Sequence, residues 1–258
     1  MTWLIALVVL VGGLAAGWVA AWLVHGYQED AETETAVWTG PSCGACSHRL
    51  SLADTAPLTW WARGLRCPEC GARAGALWPA VQLAVPVLSL VMLAVWGARL
   101  VLVPFLWLVP VLVVAAAVDI RLMLIPRRVA WWGAAVGAGL IVVVSLAIGR
   151  PSAVTSALIG GACYFGFLFL VFMVAPSGMG FGDVRLSLLL GLYLGWTHVM
   201  MPAVGLLLAC LIGIVLGLGV RFASRGEQRH FPFGPGLALG TLLAIAFHGP
   251  ILERLLVG

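Results

Sequence analysis

The sequence predicts an all-α polytopic membrane protein with about eight transmembrane helices, because it is strongly apolar in long, continuous runs. Hydrophobic residues make up 62% of the 258 residues, charged residues only 9%, and the mean hydropathy is +1.10. An ordinary soluble domain carries about 25% charged residues. Apolar runs of about 20 residues are long enough to cross about 30 Å of hydrocarbon as helices. Since the runs do not alternate in polarity, helices are favoured over barrel strands.

The apolar stretches divide the chain into spans and one polar insertion. The predicted spans are Trp3–Val24, Pro79–Gly97, Val101–Val118, Val129–Ile148, Ala153–Ala175, Val184–Trp196, Val199–Val220 and Gly236–Leu256. The sixth is short for a full crossing, so a count of seven, with the sixth and seventh stretches merged, is the alternative. We expect a first transmembrane helix in residues 1–25, a cytosolic module in 26–78 and a membrane core in 79–258. The first span has no basic region before it, so we expect it to stay attached rather than be cleaved.

Arginine determines the predicted orientation, because the chain contains no lysine. With the amino terminus outside, all arginines except Arg99, Arg150 and Arg254 lie on the cytoplasmic side, as the positive-inside rule expects. The formal net charge of +4 therefore reflects membrane topology. The sequence has no basic surface interleaved with aromatic residues, so we expect membrane lipid and not nucleic acid as a partner.

The polar insertion after the first span contains two pairs of cysteines, Cys43-Gly-Ala-Cys46 and Cys67-Pro-Glu-Cys70. This spacing is typical of a tetrahedral zinc–thiolate site, because each pair presents two sulfurs from one turn. Cytosolic thiols stay reduced, which disfavours disulfides and favours a metal. Zinc would also supply folding free energy that so small a module lacks, in a structural role. A redox-active dithiol and unliganded cysteines are the alternatives.

Asp119 and Asp183 are the only carboxylates between Cys70 and Glu227, and each lies in or beside a long apolar stretch. A charge near the bilayer centre costs about 2.5–3.5 kcal/mol on insertion scales, so an intramembrane acid indicates a functional site. In the predicted topology both lie near the cytoplasmic boundary, where we expect them to meet. Two carboxylates in one site share a proton. An aspartic protease uses such a pair: the ionised member takes a proton from water and the protonated member polarises the scissile carbonyl.

Three glycines precede the second aspartate, and they are candidates for substrate binding. Gly178, Gly180 and Gly182 alternate with other residues up to Asp183. Because glycine has no side chain and permits unusual backbone angles, an extended substrate strand could approach the acid closely there. A flexible turn between helices is the alternative interpretation.

Four landmarks in order along the chain resemble those of the type IV prepilin peptidases, a family of GxGD-type intramembrane aspartyl proteases. The landmarks are the cytosolic cysteine pairs, Asp119 followed by Ile125-Pro126, the Gly180-Phe181-Gly182-Asp183 element within Gly178–Leu186, and Phe231-Pro232-Phe233-Gly234-Pro235. The resemblance covers roughly residues 38 to 245. A lone GxGD element would be a weak signal, but four ordered landmarks are specific.

The resemblance implies a membrane endopeptidase of the bacterial inner membrane, with several passes and its active site facing the cytoplasm. Members of the family cleave the leader of type IV prepilins or pseudopilins, and many then methylate the new amino terminus with S-adenosylmethionine. The resemblance also implies that Asp119 and Asp183 are the catalytic pair and that the zinc ligands are Cys43, Cys46, Cys67 and Cys70. The insertion has no pattern of a strand followed by a glycine-rich turn and a helix, which would predict nucleotide binding independently of the resemblance. Methyl transfer therefore stays open.

Two other classes of function fit parts of the pattern. A proton-coupled carrier could use paired acids and glycine-broken helices. Against it, both acids lie toward one face, no inverted repeat is evident, and a cytosolic zinc module has no role in transport. The second class is a non-catalytic assembly factor for pili or secretion, in which zinc organises a docking loop.

Overall fold

A computed structural model of the chain describes residues 2–30, 35–176, 179–223 and 232–257. The chain divides into two compact units, Met1–Leu122 and Met123–Gly258.

The first unit begins with a long helix, continues through the cysteine-containing insertion and ends with two further long helices. Its elements are α1 (Thr2–Gly26), β1 (Tyr27–Asp30), β2 (Thr35–Trp38), α2 (Pro57–Ala62), α3 (Leu77–Trp96) and α4 (Leu102–Leu122). Strands β1 and β2 pair antiparallel, with Tyr27 opposite Trp38 and Asp30 opposite Thr35. The insertion therefore contains a two-stranded ribbon and a short helix that the apolar pattern did not predict.

Helices α1 and α3 pack closely because small residues face a proline. A Cβ on Gly13 would lie 2.8 Å from Cα of Pro86, and one on Gly17 would lie 2.4 Å from the carbonyl oxygen of Gln82. Pro86 lies inside α3 and has no N–H, so the Gln82 carbonyl loses its usual partner within the helix. Glycine at position 17 is required there because any larger side chain would collide with that carbonyl.

The second unit is entirely helical in the part that the structure describes. Its elements are α5 (Arg127–Ala147), α6 (Ser152–Val174), α7 (Phe181–Thr197), α8 (Met201–Ala223), α9 (Gly234–Ala246) and α10 (His248–Val257). Helix α7 is the centre of this unit, since it packs against α5, α6, α8 and α9 and 12 of its 17 residues are buried.

Glycines bring α6 and α7 into backbone contact. A Cβ on Gly160 of α6 would lie 2.6 Å from Cα of Gly195, and a Cβ on Gly191 would lie 2.5 Å from the carbonyl oxygen of Gly160. Small residues spaced four apart are the usual means of close helix packing in membranes. On another side of α7, Trp196 donates a buried hydrogen bond of 2.8 Å to the Ser145 hydroxyl of α5.

Each predicted span falls on a helix, but the last one is not continuous. The prediction of one span over Gly236–Leu256 is wrong, because α9 ends at Ala246 and α10 begins at His248. Pro250 favours the break, because it has no N–H to donate to the Ala246 carbonyl as a continuous helix would need. The predicted sixth and seventh spans remain separate helices, with His198 in an extended conformation after α7.

The chain is an all-helical membrane protein, apart from the short ribbon in its insertion. Among the described residues, six helices are long and apolar enough to cross a membrane, namely α1, α3, α4, α5, α6 and α8. Helix α7 has 17 residues and α9 has 13, so both are shorter than these six.

Candidate active site and metal cluster

The four cysteines of the insertion come together in one cluster. The sulfurs of Cys43, Cys46, Cys67 and Cys70 all lie within 4.8 Å of one another. Cys43 and Cys70 are 3.6 Å apart and Cys46 and Cys67 are 3.8 Å apart, sulfur to sulfur. A zinc ion with Zn–S bonds of about 2.3 Å separates the sulfurs of its tetrahedron by about 3.8 Å. The cluster thus fits a tetrahedral thiolate shell, a donor set typical of structural zinc.

Each cysteine pair lies on a similar backbone turn, which explains why the sulfurs converge. In the first, Cys43 donates its backbone N–H to the His48 carbonyl and accepts from Ser47, at 2.9 Å in both cases. In the second, Cys67 donates to Ala72 at 2.9 Å and accepts from Gly71 at 3.0 Å. The turns need residues with positive φ, and these are Ser47 at 58° and Gly71 at 69°. His48 contributes its backbone here and is not part of the sulfur cluster.

The thiols influence one another's protonation. Hydrogen bonds from the backbone N–H groups of Ala45 and Cys46 lower the pKa of Cys43 to about 6. At Cys46 the hydrogen bond from the His48 backbone acts to lower the pKa, but the neighbouring Cys70, burial and the other sulfurs outweigh it and raise the pKa to about 12. One sulfur of the cluster is therefore ready to bind a cation as thiolate, while another holds its proton until a cation offsets the charge of its neighbours.

The cysteine module is attached to α1 and α3 through tryptophans. Trp22 of α1 donates a hydrogen bond of 3.1 Å to the Leu50 carbonyl, next to the first cysteine turn. Trp61 of α2 donates one of 3.0 Å to the Gln82 side chain of α3. Trp60 is 1% exposed and packs against Trp78, with ring centroids 5.5 Å apart. These contacts hold the module against the helices on either side of it in the sequence.

Asp119 lies in the last turn of α4 within the first unit. Its side chain is 5% exposed, on the most buried helix of that unit. Two residues later, the Arg121 guanidinium donates a hydrogen bond to the Val24 carbonyl at the end of α1. The helix ends at Leu122 and Met123 has a φ of 54°, so the chain turns directly after the acid.

Asp183 lies in the first turn of α7 within the second unit and is 7% exposed. The helix begins after Gly180, whose φ of −71° and ψ of 144° are extended and ordinary for any residue. A carboxylate in the first turn is stabilised by the positive end of the helix dipole. Arg185 stacks over the Phe181 ring with its guanidinium carbon 4.6 Å from the centroid, so the start of α7 also carries an ordered cation.

The predicted glycines differ in how closely their surroundings are packed. A Cβ on Gly182 would lie 2.9 Å from Cβ of Ile125 and 3.3 Å from its backbone nitrogen, so position 182 must be small for packing. Among the residues that the structure describes, a Cβ on Gly180 would meet nothing closer than the Asp183 carboxylate oxygen at 3.7 Å, so packing against them does not require a small residue at position 180. Gly178 lies outside the described residues.

Sequence reasoning did not identify two features of the candidate site. The contact between Arg121 and Val24 joins residues 97 positions apart, and no local pattern indicates it. The contact between Gly182 and Ile125 is not indicated by any local pattern either. The glycine directly before Asp183 was the one signal that a small residue is needed there.

Comparison with known proteins gives matches over most of the chain. The model of the type IV leader peptidase family matches residues 106–218, a segment that contains both aspartates and ends before the late proline- and glycine-rich signature. A prepilin leader peptidase/N-methyltransferase of Aeromonas salmonicida (strain A449) is 31% identical over 227 residues, covering 84% of this chain and 74% of the relative. The protein of the same name from Bacillus subtilis (strain 168) is 29% identical over 214 residues, covering 82% of this chain and 83% of the relative. No solved structure matches the chain.

Proposed function

The chain belongs to the type IV leader peptidase family, and from this premise we propose that Asp119 and Asp183 are the catalytic pair that cleaves the leader of type IV prepilins or pseudopilins. As a member, the protein is a multi-pass membrane aspartic peptidase. The observation that supports the assignment is the burial of both acids, at 5% and 7% exposure, at helix ends within the segment that the family matches. Carboxylates are rarely kept in such surroundings without a function.

The proposed chemistry is hydrolysis of one peptide bond by a pair that shares one proton. The ionised carboxyl takes a proton from water as the water oxygen attacks the scissile carbonyl, and the protonated carboxyl gives its proton to the carbonyl oxygen. In the second step the tetrahedral intermediate breaks its C–N bond. The amine leaves with the proton held by the first carboxyl, and the second carboxyl recovers its own. Gly178, Gly180 and Gly182 are the proposed substrate-binding positions, because glycine lets an extended substrate strand approach Asp183 closely.

The proposed organisation is a first transmembrane helix in residues 1–25, a cytosolic module in 26–78 and a peptidase core in 79–258. We propose that α7 and α9 also cross the membrane, which brings the number of transmembrane helices to eight. The protein lies in the bacterial inner membrane with its active site facing the cytoplasm. A zinc ion held by Cys43, Cys46, Cys67 and Cys70 has a structural role and stabilises the module. Its role is not catalytic, because four thiolates leave no open coordination position. Methylation of the cleaved product with S-adenosylmethionine is the proposed second activity, on the strength of the relatives' names.

Peptide cleavage with mass analysis tests the proposed function. Purified protein in detergent should shorten a prepilin-like peptide by its leader, and Asp119→Asn or Asp183→Asn should each lower the rate by about 10³-fold or more, since either change removes one acid–base partner. Glu253→Gln makes the same chemical change at an exposed acid of α10 and should leave cleavage unaffected. Addition of S-adenosylmethionine reports on methyl transfer through a mass gain on the product.

The same peptide experiment distinguishes the proposed function from the alternatives. A proton-coupled carrier would leave the peptide intact, and in a separate liposome assay it would move protons in a way that depends on the aspartates. An assembly factor would bind the peptide without cleaving it. Full cleavage by either aspartate variant would refute the assignment of the pair.

A further inference from the structure

Arg121 connects the helix that carries Asp119 to a distant part of the first unit. Its guanidinium donates a hydrogen bond to the Val24 carbonyl. Val24 is completely buried in the last turn of α1. The contact is partly buried, although the arginine side chain as a whole is exposed. In the sequence these two helix ends are connected only through the cysteine module and α3, so the hydrogen bond is a direct link across the unit.

The chemistry at the end of α1 suits a cation. The last four carbonyls of a helix have no partner within the helix, and the helix dipole makes this end negative. The Gly26 carbonyl is satisfied by Thr39, whose backbone nitrogen is 2.9 Å away and whose hydroxyl is 3.4 Å away. The Val24 carbonyl is satisfied by Arg121, so one residue of the insertion and one of α4 together hold the end of α1.

Asp119 lies where a helix is least constrained by its own hydrogen bonds. It is in the last turn of α4, which ends three residues later, and Pro126 disfavours continuation of the helix through Ile125. Terminal turns fray unless something outside the helix holds them. Positions two apart in a helix do not face each other, so Arg121 acts on Asp119 through the backbone of the turn that they share.

We propose that Arg121 is a positioning residue, which holds the last turn of α4 against the end of α1 and thereby fixes the carboxyl of Asp119 for catalysis. The inference rests on the proposed catalytic role of Asp119. A small displacement of a catalytic group lowers the rate of the chemical step and leaves substrate binding almost unchanged. Loss of the link should therefore lower kcat and spare KM.

Steady-state cleavage of a prepilin-like peptide by the full-length protein in detergent tests this proposal. Arg121→Gln should lower kcat by about tenfold with KM within about twofold of the wild type, by analogy with other misplaced catalytic groups. Arg121→Lys retains a cationic donor and should recover most of kcat. Arg128→Gln removes the same charge from an exposed position at the start of α5 and should behave as the wild type. Amide hydrogen exchange in residues 119–122 should be faster in Arg121→Gln than in the wild type. Arg121→Lys and Arg128→Gln should exchange there at the wild-type rate.

Several outcomes would overturn the proposal. A normal kcat for Arg121→Gln refutes it, and so does a rise in KM alone, which would make Arg121 a substrate-binding residue. A lysine variant that folds but is as slow as the glutamine variant also refutes it. Asp119→Asn, measured in parallel, separates this inference from the function on which it rests: an active Asp119→Asn refutes the catalytic assignment, whereas an inactive one with a normal Arg121→Gln refutes only the positioning role.

Discussion

Gly182→Ala tests whether packing, rather than substrate approach, requires the second glycine of the GxGD element. The added Cβ would lie 2.9 Å from Cβ of Ile125, whereas carbon atoms in contact prefer about 3.5–4.0 Å. The two segments must therefore separate by at least about 0.6 Å. Ile125 cannot yield easily, because it is 7% exposed and the following Pro126 restricts its backbone.

The expected cost is about 1–3 kcal/mol of stability, the usual range for overpacking. The displaced segment is the first turn of α7, which carries Asp183. A shift of this size at a catalytic group should lower kcat by about 10-fold to 100-fold. Gly180→Ala is the matched control, because its Cβ would have only ordinary contacts at 3.7 and 3.9 Å and its backbone angles suit alanine.

The assay is peptide cleavage by both alanine variants, together with thermal unfolding in detergent. Gly182→Ala should lose both activity and melting temperature, while Gly180→Ala keeps its melting temperature. If both variants melt like the wild type and lose kcat equally, close approach of the substrate explains both glycines and the packing argument fails.

Three further predictions follow from the cluster, the helix packing and one turn. The purified protein should contain about one zinc per chain by elemental analysis, and Cys67→Ser should lose it, because three thiolates leave the tetrahedron incomplete; full zinc content in that variant would contradict the assignment. Gly160→Ala should destabilise the protein by about 1–3 kcal/mol because its Cβ would lie 2.6 Å from Cα of Gly195, whereas Gly166→Ala on the same helix meets nothing within 4 Å and should be neutral. Hydrogen bonds from the side chain and backbone of Ser51 lower the pKa of Asp54 below its usual value. The ionised Asp54 carboxylate should therefore stabilise the fold above the unfolded-state pKa of about 3.9, and this stabilisation should be lost as the pH falls through the lower folded-state pKa. Because Asp54 is partly exposed, the difference in melting temperature between Asp54→Asn and the wild type should be small at neutral pH and disappear in acid; a difference that grows on acidification would contradict this sign.

The sequence predicted the helices of the membrane core well because apolar length is a direct requirement of the bilayer. Val129–Ile148 and Ala153–Ala175 fall within two residues of α5 and α6. The break in the last predicted span was missed, although Pro250 was a visible signal, because average apolarity hides a single missing N–H.

The cysteine cluster was also predictable, since two short turns bring their own sulfurs together and only one long-range pairing remains. The convergence of Asp119 and Asp183 is of another kind. They belong to different compact units, and their proposed meeting depends on packing between segments 64 residues apart in the sequence, which no local pattern encodes. It stays a prediction, supported by the family match over both acids.

The cysteine module is better understood as a support for α1 than as a separate domain. Strand β1 follows α1 without a linker, since α1 ends at Gly26 and β1 begins at Tyr27. Trp22 bonds the module from within the helix, and Thr39 bonds the helix end from within the module. Folding free energy that a metal would supply to the sulfur cluster should therefore also order the end of α1. That same end accepts the hydrogen bond from Arg121, so the module is linked through the end of α1 to the helix that carries Asp119.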